Sequence, residues 1–151
     1  MPIEVSRATR ADLDALTLLF DAYRVFYRQL SDLGGARAFV EARLAHHESE
    51  ILLARHAGDR QPLGFTQLYP SFSSVSMRRT WVLNDLFVVP GFRNRGVARA
   101  LMAAARELGR TSGALRLTLE TADDNRAAQA LYESLGYRSD AGMRHYSLPL
   151  E

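Results

Sequence analysis

The stretch of the chain that decides the fold runs from Leu83 to Ala98 and reads LNDLFVVPGFRNRGVA. Its first half belongs to an apolar run that predicts a buried strand over residues 81–89, stopped by the turn residues Pro90 and Gly91. Its second half leads directly into a helical pattern over residues 97–110. A helix start presents free backbone N–H groups and a partial positive charge, so the loop at 93–98 is a candidate phosphate site.

The residues of this loop fit a phosphate but do not require one. Gly96 lets the backbone approach a ligand closely, and Ala98 is small for the same reason. Arg93, Arg95 and Arg99 bring charge and bidentate donors to the same place. The same residues are also consistent with a basic, solvated turn that uses its glycine only to bend, and from the residues alone both interpretations stand.

The remainder of the chain predicts further strands and helices around this segment. Strands are predicted at 3–7, 51–57, 63–68, 115–121, from 137 onward and at 144–150, with helices at about 11–27, 36–46 and 126–135. Gly34 and Gly35 are expected to break the chain, and the polar segment 70–77 is expected to be a loop. Strand 81–89, helix 97–110 and strand 115–121 form a βαβ unit, whose strands should be parallel with ligands bound beyond their carboxyl ends. We therefore predict an α/β fold with a mixed sheet, in a single domain of residues 1–151.

Composition excludes several kinds of site and partner. There is no cysteine, which excludes disulfides, thiolate metal sites and a cysteine nucleophile. The 19 basic residues are all arginine and are scattered along the chain, and the net charge is only +2, so we expect no nucleic-acid partner. No apolar run approaches the ~20 residues that span a bilayer, and the first residues lack the apolar core of a signal peptide. We expect a soluble, cytoplasmic protein without a membrane partner, and no metal, because His46, His47 and His56 lack ligand spacing.

A second sequence block gives the loop its context. Residues 125–137 read NRAAQALYESLGY, with Tyr132 seven positions after Asn125 and a Gly136-Tyr137 close. Together with the pattern Arg93-x-x-Gly96-x-Ala98, this block resembles the GNAT superfamily of N-acetyltransferases. The resemblance follows the element order of nearly the whole chain and is specific from about residue 83 to 137.

The resemblance implies a fold, a cofactor and a reaction. The sheet should be mostly antiparallel and flanked by helices, with the parallel βαβ unit carrying the cofactor loop. The reaction is transfer of an acetyl group from acetyl-CoA to a primary amine, without a covalent enzyme intermediate. The residues implied to bind coenzyme A are Leu86, Phe87, Val88, Arg93, Asn94, Arg95, Gly96, Val97, Ala98, Arg99, Asn125 and Ala128. The alternative is a non-catalytic acyl-CoA-binding or sensing module.

Two residues are candidates for the proton transfers of this reaction. Tyr132 matches the family's tyrosine that protonates the departing thiolate, although a core aromatic would show the same helical spacing. Asp85 is the candidate base, because it sits in an apolar strand and burial disfavours the charged form of a carboxyl group. It is equally consistent with a structural acid satisfied by backbone or arginine. Relatives of the polyamine and histone type often carry the carboxylate one position earlier, where this chain has Asn84, so the base is either Asp85 or a bound water.

The acceptor side is expected to involve aromatic residues. Tyr23 and Tyr27 lie four apart on one helix face and can pack around an alkyl amine or a cation, or simply fill the core. By resemblance Tyr69 and Asn84 also line this side, and the pattern is similar to bacterial members that act on polyamines or histone-type lysines. A small amine or a lysine side chain is therefore the expected acceptor. By resemblance a homodimer is the expected assembly, and members of the family sometimes dimerise through the C-terminal strand, here residues 144–150.

Overall fold

The computed structural model describes residues 2–151, and its central feature is a five-stranded sheet in the order β1-β2-β3-β4-β5. The strands are β1 (Ile3–Arg7), β2 (Glu50–His56), β3 (Pro62–Ser73), β4 (Arg78–Val88) and β5 (Leu117–Thr118). The helices are α1 (Leu13–Phe26), α2 (Leu33–Ala45), α3 (Val97–Thr111) and α4 (Arg126–Ser134), with short 3-10 turns at Arg10–Asp12 and Pro90–Phe92. Neighbouring strands are antiparallel except for β4 and β5, which are parallel. The predicted α/β fold with a mixed, mostly antiparallel sheet is confirmed.

The chain forms two compact units, Met1–Glu120 and Thr121–Glu151. The first contains the whole sheet and α1 to α3, and the second contains α4. Four consecutive residues of β2, from Ile51 to Ala54, are buried, so the sheet is covered on both faces. Ile51 and Leu53 pack with Leu16 of α1 in one apolar cluster, while α3 packs on the strands with a separate buried stripe. That stripe comprises Val97, Leu101, Met102, Ala105 and Leu108, whereas helical spacing in the sequence predicts Ala104 in place of Met102.

Strand β4 contains a bulge at Asn84. The consecutive residues Gln67 and Leu68 of β3 pair with Asp85 and Leu83 of β4, so Asn84 is the extra residue. Because side chains alternate along a strand, the extra residue changes the face on which the following side chains lie. Trp81, before the bulge, hydrogen-bonds Ser112 just after α3, whereas Asp85, after it, lies on the side of α1. The bulge therefore directs Asp85 toward α1.

Strand β4 also has an open edge. It pairs with β5 only at Trp81 and Val82, whereas its pairing with β3 continues to Val88. The N–H of Val89 donates to the carbonyl of Leu63 on β3, so by alternation the backbone groups of Leu86 and Val88 point to the other edge. Within the described part of the first unit, no strand pairs with that edge after Val82. The two parallel strands thus separate after Val82, and β4 continues to Val88 before the loop that leads into α3.

Several element boundaries differ from the sequence prediction. Helix α2 begins at Leu33, because the Asp32 side chain accepts from the N–H of Gly35 and caps a first turn that includes both glycines. Strand β3 continues through Pro70, since β2 stops pairing at Leu68 and the missing N–H of the proline interrupts no ladder there. Strand β5 is shorter than predicted, covering only Leu117–Thr118.

The strands predicted from residue 137 and at 144–150 are wrong. Within the described chain, residues 137–151 form no strand. The alternating apolar residues Tyr146, Leu148 and Leu150 are 88%, 81% and 91% exposed. Alternation favours an extended chain, but a strand requires a paired neighbour to satisfy its backbone. Among residues 2–151, no helix is both long enough and apolar enough for a membrane span.

Candidate active site

The loop before α3 ends in an uncapped helix start. Asn94 and Gly96 have φ angles of 61° and 86°, in the left-handed region that asparagine and glycine adopt most easily. Gly96 is the N-cap residue of α3, and no side chain caps that end of the helix. A Cβ at Gly96 would meet nothing within 4 Å, so within the protein itself the glycine is required by its φ angle and not by lack of space. Val97 is buried and anchors the helix start in the core, which leaves the first-turn N–H groups available to an anion.

The arginines of the loop have different surroundings. Arg95 is exposed, with its guanidinium 5.6 Å from the centre of the Phe92 ring. Arg93 instead turns toward the sheet, where its Nε donates to the carbonyl of Val88 at 3.0 Å. Its guanidinium lies 4.9 Å from the ring centre of Phe26 and 5.7 Å from that of Phe87. Arg93 therefore fastens the loop to β4 and α1, a role that the sequence did not predict for it.

The three residues predicted to contact the cofactor arm fall into two groups. The backbone groups of Leu86 and Val88 point to the open edge of β4, and the Val88 carbonyl there accepts from Arg93. Phe87 has its backbone on the β3 side and its ring among Tyr23, Phe26 and Phe65. The geometry makes Leu86 and Val88 the residues able to bind an extended ligand by their backbone, and Phe87 a core residue.

Asp85 is the centre of a buried polar cluster. It is 5% exposed, and its Oδ2 accepts from Nε2 of Gln67 at 2.6 Å. Its Oδ1 accepts from Nδ2 of Asn84 at 3.0 Å, and the hydroxyl of Tyr23 is hydrogen-bonded to the same carboxylate. These partners are two amides and a phenol, whereas the structural alternative expected backbone or arginine partners. The cluster brings together the predicted residues Asp85, Asn84 and Tyr23.

The phenols beside Asp85 are held in their neutral form. Burial, the charge of Asp85 and the hydrogen bond to it all raise the pKa of Tyr23. Burial and the charge of Asp85 also raise the pKa of Tyr69, while Arg43 opposes this rise. The ring of Tyr23 lies 5.0 Å from that of Tyr27 and 5.6 Å from that of Phe65. The ring of Tyr23 therefore packs with the core aromatics, one of the two predicted possibilities, while its hydroxyl faces the Asp85 carboxylate. Its packing around an alkyl amine or a cation stays a prediction.

Gln67 and Ser49 belong to this cluster and were missed at the level of sequence. Gln67 is 1% exposed, and its Oε1 accepts from the hydroxyl of Ser49, itself 7% exposed, at 2.7 Å. The available signal was a glutamine inside an otherwise apolar strand, since a buried polar side chain needs a buried partner. That signal indicates a partner but does not say which residue it is.

The second unit explains the spacing of the block at 125–137. The Asn125 side chain accepts from the N–H of Ala128 at 3.2 Å and caps α4. At the other end Gly136, with a φ of 94°, closes the helix as the N–H of Tyr137 donates to the carbonyl of Tyr132 at 3.1 Å. The rings of Tyr132 and Tyr137 are 6.1 Å apart. The motif is thus a short helix fixed at both ends, which holds Tyr132 on its last turn.

Comparison with known proteins gives the class of enzyme. A solved structure described as a probable acetyltransferase shares 42% identity with this chain, covers 98% of both chains and superposes with a TM-score of 0.94. The uncharacterized N-acetyltransferase YhfO of Bacillus subtilis (strain 168) is 51% identical over 146 residues, 97% of each chain. The aminoglycoside N(6′)-acetyltransferase type 1 of Salmonella typhimurium (strain LT2) is 32% identical over 107 residues, which are 64% of this chain and 72% of that protein.

The family follows from a further match. Residues 16–137 match the model of the acetyltransferase (GNAT) family. This range includes both the loop before α3 and the block at 125–137. The chain belongs to the GNAT family of N-acetyltransferases and is an acetyltransferase enzyme, as the resemblance of its motifs implied.

Proposed function

We propose that this acetyltransferase transfers the acetyl group of acetyl-CoA to a primary amine by direct attack, without a covalent enzyme intermediate. The observation that carries the proposal is a single strand, β4, which has an open backbone edge at Leu86 and Val88, a buried carboxylate at Asp85 and an uncapped helix start shortly after its end. An extended acyl carrier with a pyrophosphate fits the edge and the helix start, and an ammonium group fits the carboxylate.

The donor is bound mainly by backbone. The first-turn N–H groups of α3 hold the pyrophosphate, with exposed charge from Arg95 and Arg99 nearby. The edge groups of Leu86 and Val88 hold the extended arm and supply an N–H for the carbonyl oxygen as it gains charge. Acetyl-CoA supplies an activated thioester, and the chain's part is to place it against the amine.

The acceptor is a cation before it reacts, because an alkyl amine has a pKa of about 10.4. Asp85 attracts the ammonium and accepts its proton directly or through a water, while Tyr23, Tyr27 and Tyr69 surround the alkyl part. One relative is named for acetylating an aminoglycoside amine, which supports an amine acceptor at the level of class. The candidates are small amines, polyamines, aminoglycosides and lysine side chains.

Tyr132 is proposed as the acid that meets the leaving thiolate. A thiol has a pKa of about 8.5 and a phenol about 10, so a tyrosine hydroxyl can donate as the charge develops on sulfur. The capped and closed α4 fixes the position of Tyr132 within its unit, which is what such a role requires.

The test is release of coenzyme A from acetyl-CoA with a panel of polyamines, aminoglycosides, amino acids and lysine peptides. Tyr132→Phe should lower kcat by about tenfold or more with little change in the KM for acetyl-CoA, because the hydroxyl acts only as the sulfur departs. Tyr137→Phe is the matched control on the same helix closure and should retain most of the activity. Unchanged turnover in Tyr132→Phe would remove the acid role. Tight binding of coenzyme A with no turnover for any amine would favour a sensing module.

A further inference from the structure

A continuous line of buried polar contacts leads away from the candidate base. It runs from the Ser49 hydroxyl to the Gln67 oxygen at 2.7 Å, and from the Gln67 nitrogen to the Asp85 Oδ2 at 2.6 Å. The two supporting side chains come from β3 and from the residue just before β2, so they are independent of the strand that carries Asp85. Burying such groups is costly unless each is paired, and here each is.

The contacts give the Gln67 amide one orientation. A glutamine side chain presents an acceptor on one branch and donors on the other, and a rotation of 180° exchanges them. A carboxylate can only accept, so the amide must turn its nitrogen to Asp85 and its oxygen away. The Ser49 hydroxyl donates to that oxygen and thereby favours the same orientation. Ser49 thus acts on Asp85 through Gln67.

The remaining groups that face Asp85 do not replace this contact. Tyr23 faces it from α1 and Tyr69 from β3, both as neutral phenols. Arg43 near the end of α2 and Glu48 before β2 act electrostatically on Tyr69, with opposite signs. Asn84 is on the exposed bulge, where water competes for its amide. Gln67 is therefore the most deeply buried donor to the carboxylate.

We propose that Gln67, oriented by Ser49, is a positioning residue that holds the Asp85 carboxylate in place and aimed at the acceptor amine. The proposal rests on the amine acetyltransferase function described above, and it assigns a part to two buried residues that act through Asp85. A hydrogen bond to the charged form of a carboxyl group favours that form. Loss of the Gln67 contact should therefore make Asp85 easier to protonate.

The experiment is the pH dependence of kcat/KM for the best amine of the panel, with coenzyme A quantified chromatographically from pH 4.5 to 10. The acid limb of this profile is the pH range over which kcat/KM falls as the solution becomes more acidic. Gln67→Leu should move the acid limb to higher pH by roughly one to two units, the size expected for a hydrogen bond to a charged group. Ser49→Ala is a gentler change that should move the limb in the same direction by less. The ammonium of the substrate titrates identically in every variant, so differences between variants report the enzyme.

Thr66→Val is the matched control. Thr66 is the neighbour of Gln67 on β3, is fully buried and also donates to Asp85, but to its backbone carbonyl at 2.7 Å. This variant should lower the melting temperature without moving the acid limb. If the limb stays in place in both Gln67→Leu and Ser49→Ala while the wild type is active, or moves equally in Thr66→Val, the positioning role is wrong.

A second measurement keeps the inference separate from the proposed function. In nitrogen-15-labelled protein, the side-chain amide signals of Gln67 should titrate with pH in the wild type and should not do so in Asp85→Asn. Ser49→Ala should bring the two proton signals closer together, because the amide then samples both orientations. If no amine is turned over, the proposed function is wrong, but the amide signals still test the contact between Gln67 and Asp85. If the amide signals of Gln67 respond neither to Asp85→Asn nor to Ser49→Ala, the inference is wrong even in an active enzyme.

Discussion

The helix start at Gly96 and the polar cluster at Asp85 are parts of one unit, yet they are built in opposite ways. The helix start is made of backbone, from the N–H groups of one turn and a glycine at a φ of 86°. The Asp85 cluster is made of side chains from α1, β3, β4 and the residue before β2. The first needs only a local sequence pattern, whereas the second needs the whole sheet to be assembled.

This difference predicts different sensitivities to substitution. A backbone site tolerates changes of side chain as long as the φ and ψ angles are kept, since its donors are present in every residue except proline. A side-chain site tolerates changes of shape poorly and changes of charge least, because each buried group is a partner of another. The largest effects should therefore come from the cluster, and the effects at the helix start should follow conformation.

Asp85→Asn should have the largest effect on turnover. The substitution keeps the size of the side chain but removes the negative charge and the ability to accept a proton, so kcat/KM for the amine should fall by about a hundredfold or more. Affinity for coenzyme A, measured by calorimetry, should change little, because the contacts proposed for the cofactor are backbone groups further along the chain. Turnover near the wild-type value in a folded Asp85→Asn would show that Asp85 is a structural acid and that a water acts as the base.

Gly96→Ala should have an intermediate effect, confined to the cofactor. A left-handed φ costs a non-glycine residue about 1–2 kcal/mol, which corresponds to roughly a tenfold rise in the KM for acetyl-CoA if the strain is relieved by moving the loop. Gly91→Ala is the matched control in the preceding turn, where a Cβ meets nothing within 4 Å and φ lies outside the left-handed region. Equal effects of the two substitutions would mean that conformation at Gly96 does not determine cofactor binding.

The same contrast explains which elements the sequence could predict. The helix start and the glycine closure of α4 depend on residues within a few positions of one another, and their patterns predicted them correctly. The buried stripe of α3 was predicted in the same way, except that Met102 is buried where Ala104 was expected. The boundaries of β3 and β5 depend on where neighbouring strands stop, which no local pattern contains. The alternating segment at 144–150 shows the reverse error, because it has a strand pattern but no paired strand among the described residues.

The candidate site shows the same difference between local features and long-range contacts. Asp85 and Tyr23 could be named as candidates, but their contact could not, because it depends on the extra residue Asn84 in β4. Without that bulge Asp85 would lie on the face of Trp81, away from α1. Gln67 is the partner that sequence reasoning missed, since a partner 18 positions away is set by strand register. Arg93 was assigned to phosphate by its charge, although its Nε donates to Val88.

The smallest effect on turnover should come from Asp21, which lies on α1, the helix that carries Tyr23. Its carboxylate accepts from the Ser31 hydroxyl and from the N–H of Asp32, each at 2.7 Å, and so ties α1 to the start of α2. These hydrogen bonds hold the pKa of Asp21 below its usual range.

A lowered pKa in the folded state stabilises the protein above the unfolded pKa of about 3.9, and this contribution disappears as the pH falls through the folded value. Asp21→Asn should therefore lower the urea midpoint modestly at pH 7 and much less near pH 3, while kcat/KM changes by no more than about twofold. A deficit of the same size at both pH values would show that packing, and not the carboxylate charge, is what Asp21 contributes.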